Sequence, residues 1–311
     1  MVRHFADRLT DAIVAKGAPA VVNIDPVLQS LPSEFRTAGS SGGDEDRTAA
    51  LQGIRTFCLR VIDIVAPLVP AVKFNIACFE PYRAAGIQVY DDLIAEASRR
   101  GLIVIGDVKR GDVGHTAALY AQAHLDEPNS TFQTTADAIT LNGYLGWDGV
   151  KPFVDVAREK GKGVFILVRT SNDSADSIQD LVTRDGRKVH DVVASLVAQW
   201  ADDSSTLGHS GYTSVGAVVA TRRGDDAARL RAAMSRSIFL VPGYGAQGGE
   251  AEDYKHYFKQ DGTGAIVAAG RSIVFAYEAP AYRQRFPDAW DRCVEQACRD
   301  FVADLRRIIP G

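Results

Sequence analysis

Cysteine is scarce in this chain and carries no pattern. Four occur in 311 residues, Cys58, Cys78, Cys293 and Cys298, and no two form a CxxC pair. Such spacing offers neither a zinc cradle nor a readable disulfide framework, so the thiols read as reduced packing residues of a cytoplasmic protein. Histidine is nearly as sparse. His4, His115, His124, His190, His209 and His256 show no HxH or HxxxH spacing, and no metal site is expected. His115, just past the third strand, is the histidine most open to a site role. There is no G-x-S-x-G elbow and no P-loop. No apolar run approaches the ~18 residues of a membrane span. Met1 to Arg8 carries Arg3, Asp7 and Arg8 instead of an apolar leader core, so no signal peptide is expected. Basic surplus is missing as well: 35 Lys and Arg stand against 39 Asp and Glu, a net charge of −4. That removes the basic footprint a nucleic-acid or membrane-surface binder needs, while leaving room for a local basic site on a small anion.

What is present is an alternation. Short apolar runs rich in β-branched residues recur at Ala20–Ile24, Ala71–Ile76, Leu102–Val108, Ala138–Leu141, Val164–Val168, Val215–Ala220, Ile238–Val241 and Ala265–Ala268. They are continuous rather than alternating, as parallel strands covered on both faces should be. Amphipathic stretches separate them: 51–62, 87–100, 117–124, 150–160, 189–201, 227–234 and 252–258. An extra helix striped by Phe5, Leu9, Ile13 and Val14 precedes the first run and stops at Gly17. A last one lies within Asp288–Ile309. Eight strand-then-helix units predict an α/β fold of the closed (β/α)8 TIM-barrel type, with a doubly wound open sheet as the runner-up. The whole chain, 1–311, reads as a single domain. The Gly/Ser-rich, then acidic Ala38–Arg47 segment reads as a mobile insertion after strand 1, and Asp173–Lys188 as a long polar loop after strand 5. Loops after strands lie at the barrel face where active sites of this fold are built.

Charge appears where a barrel strand should be buried. The third run continues into Asp107-Val-Lys109-Arg-Gly-Asp112. Period-two geometry puts Asp107 and Lys109 on one side of the strand and Val108 on the other. Charges at an inward-facing strand end are costly unless paired or functional. Strand 2 buries Lys73, and strand 1 ends in Asp25. Asp25, Lys73, Asp107 and Lys109 therefore arise from three consecutive strand ends. Alternating signs would keep the lysines charged, which suits a proton donor better than a Schiff-base lysine. After strands 7 and 8 come Pro242-Gly-Tyr-Gly-Ala-Gln247-Gly-Gly249 and Gly270-Arg271-Ser272. Glycines let backbone N–H groups approach an anion, and Arg271 offers a bidentate fork, so this reads as a phosphate site.

Together these motifs resemble the orotidine 5′-phosphate decarboxylase family, in its longer bacterial (type 2) form, from Phe5 to about Tyr277. They are Asn23-Ile-Asp25-Pro, Val72-Lys73-Phe-Asn75, Asp107-Val-Lys109-Arg-Gly-Asp112, Arg169-Thr-Ser171-Asn, the Gln247 loop and Gly270-Arg271-Ser. The D-x-K-x-x-D element is shared across a superfamily; its combination with the Lys73 strand, Gln247 and Arg271 is specific. The resemblance implies decarboxylation of orotidine 5′-monophosphate to uridine 5′-monophosphate, with no cofactor, by a homodimer with composite sites. Lys109 matches the proton donor to C6 and Asp107 the residue beside the departing carboxylate. Asp112, with Thr116, is expected to reach into the neighbouring subunit's site. Lys73 and Asp25 match residues that bind ribose hydroxyls and complete the charge network. Ser171 matches the pyrimidine contact, and Gln247, Gly270 and Arg271 match the phosphate grip. The segments 173–188 and 247–250 are candidates for closing over the ligand. Gly143 and Asp173 stand where the family pattern suggests proline, which bears on loop geometry.

Two other readings compete. A metal-dependent sugar-phosphate synthase or keto-acid-phosphate decarboxylase of the same superfamily would use the same Asp–Lys–Asp strand with magnesium and an enediolate. A catalytically silent nucleotide-binding scaffold would not need the intact charged set.

Overall fold

The computed structural model describes residues 2–36, 44–126, 135–202, 206–221, 224–245 and 251–309. Eight strands, β1 (Ala20–Ile24), β2 (Ala71–Asn75), β3 (Ile103–Arg110), β4 (Ala138–Leu141), β5 (Gly163–Arg169), β6 (Val215–Val219), β7 (Phe239–Pro242) and β8 (Ala265–Ala269), pair in chain order. Every neighbouring pair is parallel, and β8 returns to β1 to close the barrel. Between them run α2 (Asp44–Val65), α3 (Arg83–Arg99), α4 (Gly114–Leu125), α5 (Trp147–Lys160), the short α6 (Asp176–Gln179), α7 (Val189–Trp200) and α8 (Gly224–Ala233), after an initial α1 (Phe5–Lys16). Two short helices, α9 (Arg271–Val274) and α10 (Pro280–Arg285), lead to the terminal α11 (Trp290–Ile308).

Side chains divide by the pleat into two cores. Val22, Ile24, Val72, Phe74 and Val104 face outward onto Phe57, Val61, Leu93 and the other buried stripes of the helices. Val21, Ala71, Ile103, Ile105, Ala138, Phe165, Leu240 and Ile266 fill the barrel interior. One step further along the same inward rows, the residues become polar: Asn23 and Asp25 on and just past β1, Lys73 on β2, Asp107 and Lys109 on β3, Thr140 on β4. The lower barrel is thus a packed apolar plug, and the upper layer is left to the charged groups.

Helix α1 closes the barrel floor. Phe5, Ala6 and Leu9 join the interior core, and the Phe5 ring meets Phe165 edge-on at 5.9 Å between centroids. A Cβ on Gly163 would sit 2.2 Å from the Phe5 ring, so the start of β5 must be glycine. The Asp7 carboxylate accepts the backbone N–H groups of Ser210 at 2.8 Å and His209 at 3.2 Å, tying α1 to the loop before β6. Gly17, left-handed at φ 68°, ends the helix. On the outside, α11 buries Val294, Cys298, Phe301, Val302, Leu305 and Ile308 against α2 and the β1 side. All four cysteines are free, and three of them are buried. No helix among the described residues is long and apolar enough to cross a membrane.

The structure departs from the sequence reading in three places. Of the segment 38–47 expected to be mobile, Asp44 to Arg47 instead form the first turn of α2, and 38–43 lies outside the described residues. The stretch Asp173–Lys188 is not an open loop: it holds a 3₁₀ turn at Asp173–Ala175, then α6, then an antiparallel bridge between Val182 and Lys188. The stretch after β7 is a 3₁₀ helix, Ala251–Tyr257, rather than an α-helix. Its Tyr254 and Tyr257 are both buried, 6.1 Å apart between ring centres, and a three-residue turn aligns positions i and i+3. Gly143, where proline was suggested, is set by packing: a Cβ there would lie 2.7 Å from Ile166 Cγ2.

The floor packing is open to test. Phe5→Ala empties a fully enclosed ring position and should lower unfolding free energy by about 3 kcal/mol or more in urea melts. A loss below about 1 kcal/mol would show that α1 is not integral to the barrel.

Candidate active site

The charged layer at the barrel mouth is built around one carboxylate. Asp107 is 8% exposed and takes two lysines at once: Lys73 Nζ at 2.6 Å on Oδ2 and Lys109 Nζ at 2.6 Å on Oδ1. The Thr140 hydroxyl donates to the same Oδ1 at 2.8 Å and accepts the Lys109 backbone N–H at 3.0 Å. Burial alone would push the Asp107 carboxyl up, but the two ammonium groups outweigh it and hold the group down at about 2. Lys73, fully enclosed, is discouraged from carrying charge by burial. Asp25 and Asp107 reverse that, and its pKa lies above the ordinary lysine value. Lys109 differs in being reachable, with about half of its side chain exposed to the mouth.

The backbone contributes to this placement. Lys109 adopts φ 45°, a left-handed conformation uncommon for a residue with a Cβ. The β3–β4 register slips between Gly106 and Arg110 at the same point. Such a conformation costs of order 1 kcal/mol and persists only where its surroundings hold it. The Lys109 N–H bond to Thr140 and the ion pair from Arg110 to Glu80, at 2.6 Å, are the holds on either side.

Two further groups face the mouth from β1. Asn23 pairs with Lys73 in the sheet, and its Oδ1 is buried without a hydrogen-bond partner. The Oδ1 of Asp25 is buried and unpartnered in the same way. Unsatisfied acceptors are costly, and here they line the rim beside the lysine array, where hydroxyl groups of a ligand would satisfy them.

On the other side of β1, the loops after β7 and β8 lock together. Gly243 and Gly245 have φ 109° and 73°. A Cβ on Gly245 would fall 2.9 Å from Ser272, whose hydroxyl donates to the Tyr244 carbonyl at 3.3 Å. Gly270 abuts Asn23, 3.2 Å from where its own Cβ would be. Arg271 follows, exposed and with no carboxylate partner among the described residues. Gln247 lies outside the described residues, as does the rest of the candidate closing segment 247–250.

Ser171 lies just beyond β5, half-buried, on the wall of a polar cavity of about 280 Å³ shared with Arg169, Thr170 and Asn172. Asp112 and Thr116 sit apart from the array. The Asp112 carboxylate accepts the neighbouring Val113 N–H at 2.8 Å, and Thr116 is exposed in the first turn of α4. No hydrogen bond or ion pair links either residue to Lys73, Asp107 or Lys109 among the described residues. His115 is exposed beside them.

Of the residues singled out from sequence, Asp25, Lys73, Asp107 and Lys109 come together, with Gly270 and Arg271 next to them just past β8, the neighbour of β1. Thr140 and Asn23 were missed as site residues. The available signal was that each is the polar residue in an otherwise apolar buried run, in phase with the inward face.

Comparison with known proteins places this geometry. The profile of the orotidine 5′-phosphate decarboxylase / HUMPS family matches residues 53–284. A Rhodopirellula baltica protein named orotidine 5′-phosphate decarboxylase is 41% identical, with 92% of each chain covered. A Caldicellulosiruptor bescii protein of the same name is 37% identical over 88% of this chain and 90% of its own. Among solved structures, Leishmania donovani OMP decarboxylase superposes with a TM-score of 0.69 at 25% identity, covering all of both chains. With the family profile spanning most of the barrel and relatives of this similarity along nearly its whole length, the chain belongs to the orotidine 5′-phosphate decarboxylase / HUMPS family.

Proposed function

We propose that this chain, acting as one catalytic domain in the cytoplasm, decarboxylates orotidine 5′-monophosphate to uridine 5′-monophosphate and carbon dioxide, the last step of de novo pyrimidine synthesis. The observation that carries the reading is the Lys73–Asp107–Lys109 array at the mouth of a barrel shared with relatives of that name.

The chemistry explains the array. When the bond between C6 and the carboxyl carbon breaks, the electron pair stays on C6 in the ring plane, where the ring's π system cannot delocalise it. Fixed charge must stabilise it. Lys109 is the reachable cation; it meets the developing pair electrostatically and passes an Nζ proton to C6, then recovers a proton from water. Asp107 aims Lys109 and stands where the departing carboxylate leaves. Because two lysines hold Asp107 ionised down to about pH 2, it stays charged throughout the working range. Lys73, Asp25 and Asn23 present donors and acceptors to the ribose hydroxyls. Ser171 contacts the pyrimidine from β5. Arg271, Gly270 and the glycine loop after β7, with Gln247, hold the phosphate. Binding the phosphate far from C6 supplies energy for ordering the reacting end.

The reading includes a homodimer with Asp112 and Thr116 contributed across the interface. Its support is apolar surface around them: Val113, Leu119 and Tyr120 at α4, and Tyr144, Leu145 and Trp147 at the start of α5, are all exposed, Tyr144 at 83%. Large apolar groups clustered beside a functional carboxylate suit a self-complementary interface.

Three outcomes test the reading. Lys109→Ala should abolish loss of the orotidine 5′-monophosphate absorbance while leaving the thermal midpoint near that of the parent; near-normal turnover would remove Lys109 from the chemistry. Thr140→Val keeps the shape but strips Asp107 of a donor and Lys109 of its backbone hold. It should reduce kcat about tenfold or more with little change in KM, and Thr140→Ser should recover most of the loss. Mixing inactive Asp112→Ala with inactive Lys109→Ala protein should restore part of the activity, since some mixed dimers hold one site with both residues. No recovery after verified subunit exchange would place Asp112 within its own subunit's site.

A further inference from the structure

The segment that carries Ser171 leaves the sheet with little backbone support. Past Arg169, whose carbonyl accepts the Ala220 N–H at 2.8 Å, the β5–β6 pairing ends after an irregular step between Leu167 and Arg169. Thr170, Ser171 and Asn172 continue beyond the ladder. A segment of this kind would ordinarily sample several conformations, yet it has to present one hydroxyl at a fixed place.

Where the sheet stops, Arg169 Nη1 donates to the Thr170 carbonyl at 3.2 Å, and one further side chain takes over most of the bracing. The Oε1 of Gln179, the last residue of α6, accepts the Thr170 backbone N–H at 2.9 Å and the Arg169 Nη1 at 3.0 Å. Its Nε2 donates to the Thr170 hydroxyl at 2.7 Å, and that hydroxyl donates onward to Asn172 Oδ1 at 2.6 Å. A primary amide has the donor and acceptor of a peptide unit, so Gln179 stands in for the next rung of the missing strand partner. Both flanks of Ser171 are gripped through it: Thr170 directly and Asn172 through the Thr170 hydroxyl.

Gln179 is itself anchored from two directions. Its carbonyl accepts a bond from Nδ1 of His190, a side chain only 1% exposed in the first turn of α7, at 2.9 Å. At the other end of α6, Asp176 pairs with the second guanidinium nitrogen of Arg169. The 173–188 stretch therefore works as a brace from α7 to the site wall, not as a loose cover.

We propose that Gln179 is a positioning residue for pyrimidine recognition, holding the Thr170–Asn172 segment so that Ser171 faces the base. The proposal rests on the reading of Ser171 as the pyrimidine contact. Gln179 touches no ligand; it acts through the segment it braces.

Two ligands separate this role from general stability. Uridine 5′-monophosphate carries the base; ribose 5-phosphate lacks it and engages only the sugar and phosphate groups. Binding of both is measured by calorimetry to the parent, Gln179→Ala, Gln179→Glu, Ser171→Ala and the double variant Ser171→Ala/Gln179→Ala. Gln179→Ala should weaken uridine 5′-monophosphate about tenfold and leave ribose 5-phosphate within about twofold. Gln179→Glu keeps the accepting oxygen and should recover part of the lost affinity; it also serves if the alanine variant folds poorly. The double variant should bind the nucleotide no more weakly than the poorer single variant, because both changes remove one contact. Equal losses for both ligands, or additive losses in the double variant, would overturn the positioning role. A harmless Gln179→Ala beside a damaging Ser171→Ala would overturn it while leaving Ser171 in place. A harmless Ser171→Ala would bring down the Ser171 reading and the role of Gln179 with it.

Discussion

One buried carboxylate between two ammonium groups organises this molecule. Asp107 could not remain ionised in the barrel mouth alone, because an unpaired charge removed from water costs many kcal/mol. Lys73 on one oxygen and Lys109 on the other make it tolerable, each at 2.6 Å, and Thr140 fills a remaining acceptor position. Thr140 also accepts the Lys109 backbone N–H, which with the Arg110–Glu80 ion pair holds Lys109 in a left-handed conformation that it would not adopt unaided. Remove the carboxylate and the buried Lys73 ammonium is left with a like charge, Lys109, beside it at the mouth. The array is thus a mutual constraint, and its fixed field at the mouth is what a carbanion needs in place of a delocalising cofactor.

The barrel makes that constraint affordable by separating labour along each strand. The lower inward rows, Val21, Ala71, Ile103, Ile105 and Phe165, are apolar and sealed from below by Phe5 and Leu9. The upper rows carry charge. Around the rim, the proposed work divides again: β1 to β4 carry the charged and polar groups assigned to the reaction, β5 the segment assigned to the base, and the β7 and β8 loops the glycines and Arg271 assigned to the anion. The groups proposed for the phosphate therefore lie on different strands from those proposed to meet C6, and rigid strands fix the distance between them.

Much of this was legible in the sequence. Continuous apolar runs marked all eight strands, because buried parallel strands need no polar face. Period two placed Asp107 and Lys109 on one side, and that alternation holds despite the slip near Lys109. What escaped was partnership at a distance. Thr140 is an ordinary β-branched strand residue until β3 and β4 pair and bring its hydroxyl onto Asp107. Gln179 is a surface glutamine in a polar stretch until that stretch folds back on β5. The stretch reads from sequence only as a long polar loop, because its stabilising contacts, from Arg169, Thr170 and His190, come from residues 9 to 11 positions away in either direction. Local composition registers turn-forming residues but not their hydrogen bonds.

The most direct measurement is carbon dioxide release from orotidine 5′-monophosphate labelled at the carboxyl carbon, by purified protein stripped of metal and assayed with excess chelator. A charge array that stabilises the C6 electron pair without assistance should give one labelled carbon dioxide and one uridine 5′-monophosphate per substrate, at a rate the chelator leaves unchanged. No release, or release that stops with the chelator and returns with a divalent cation, would contradict it.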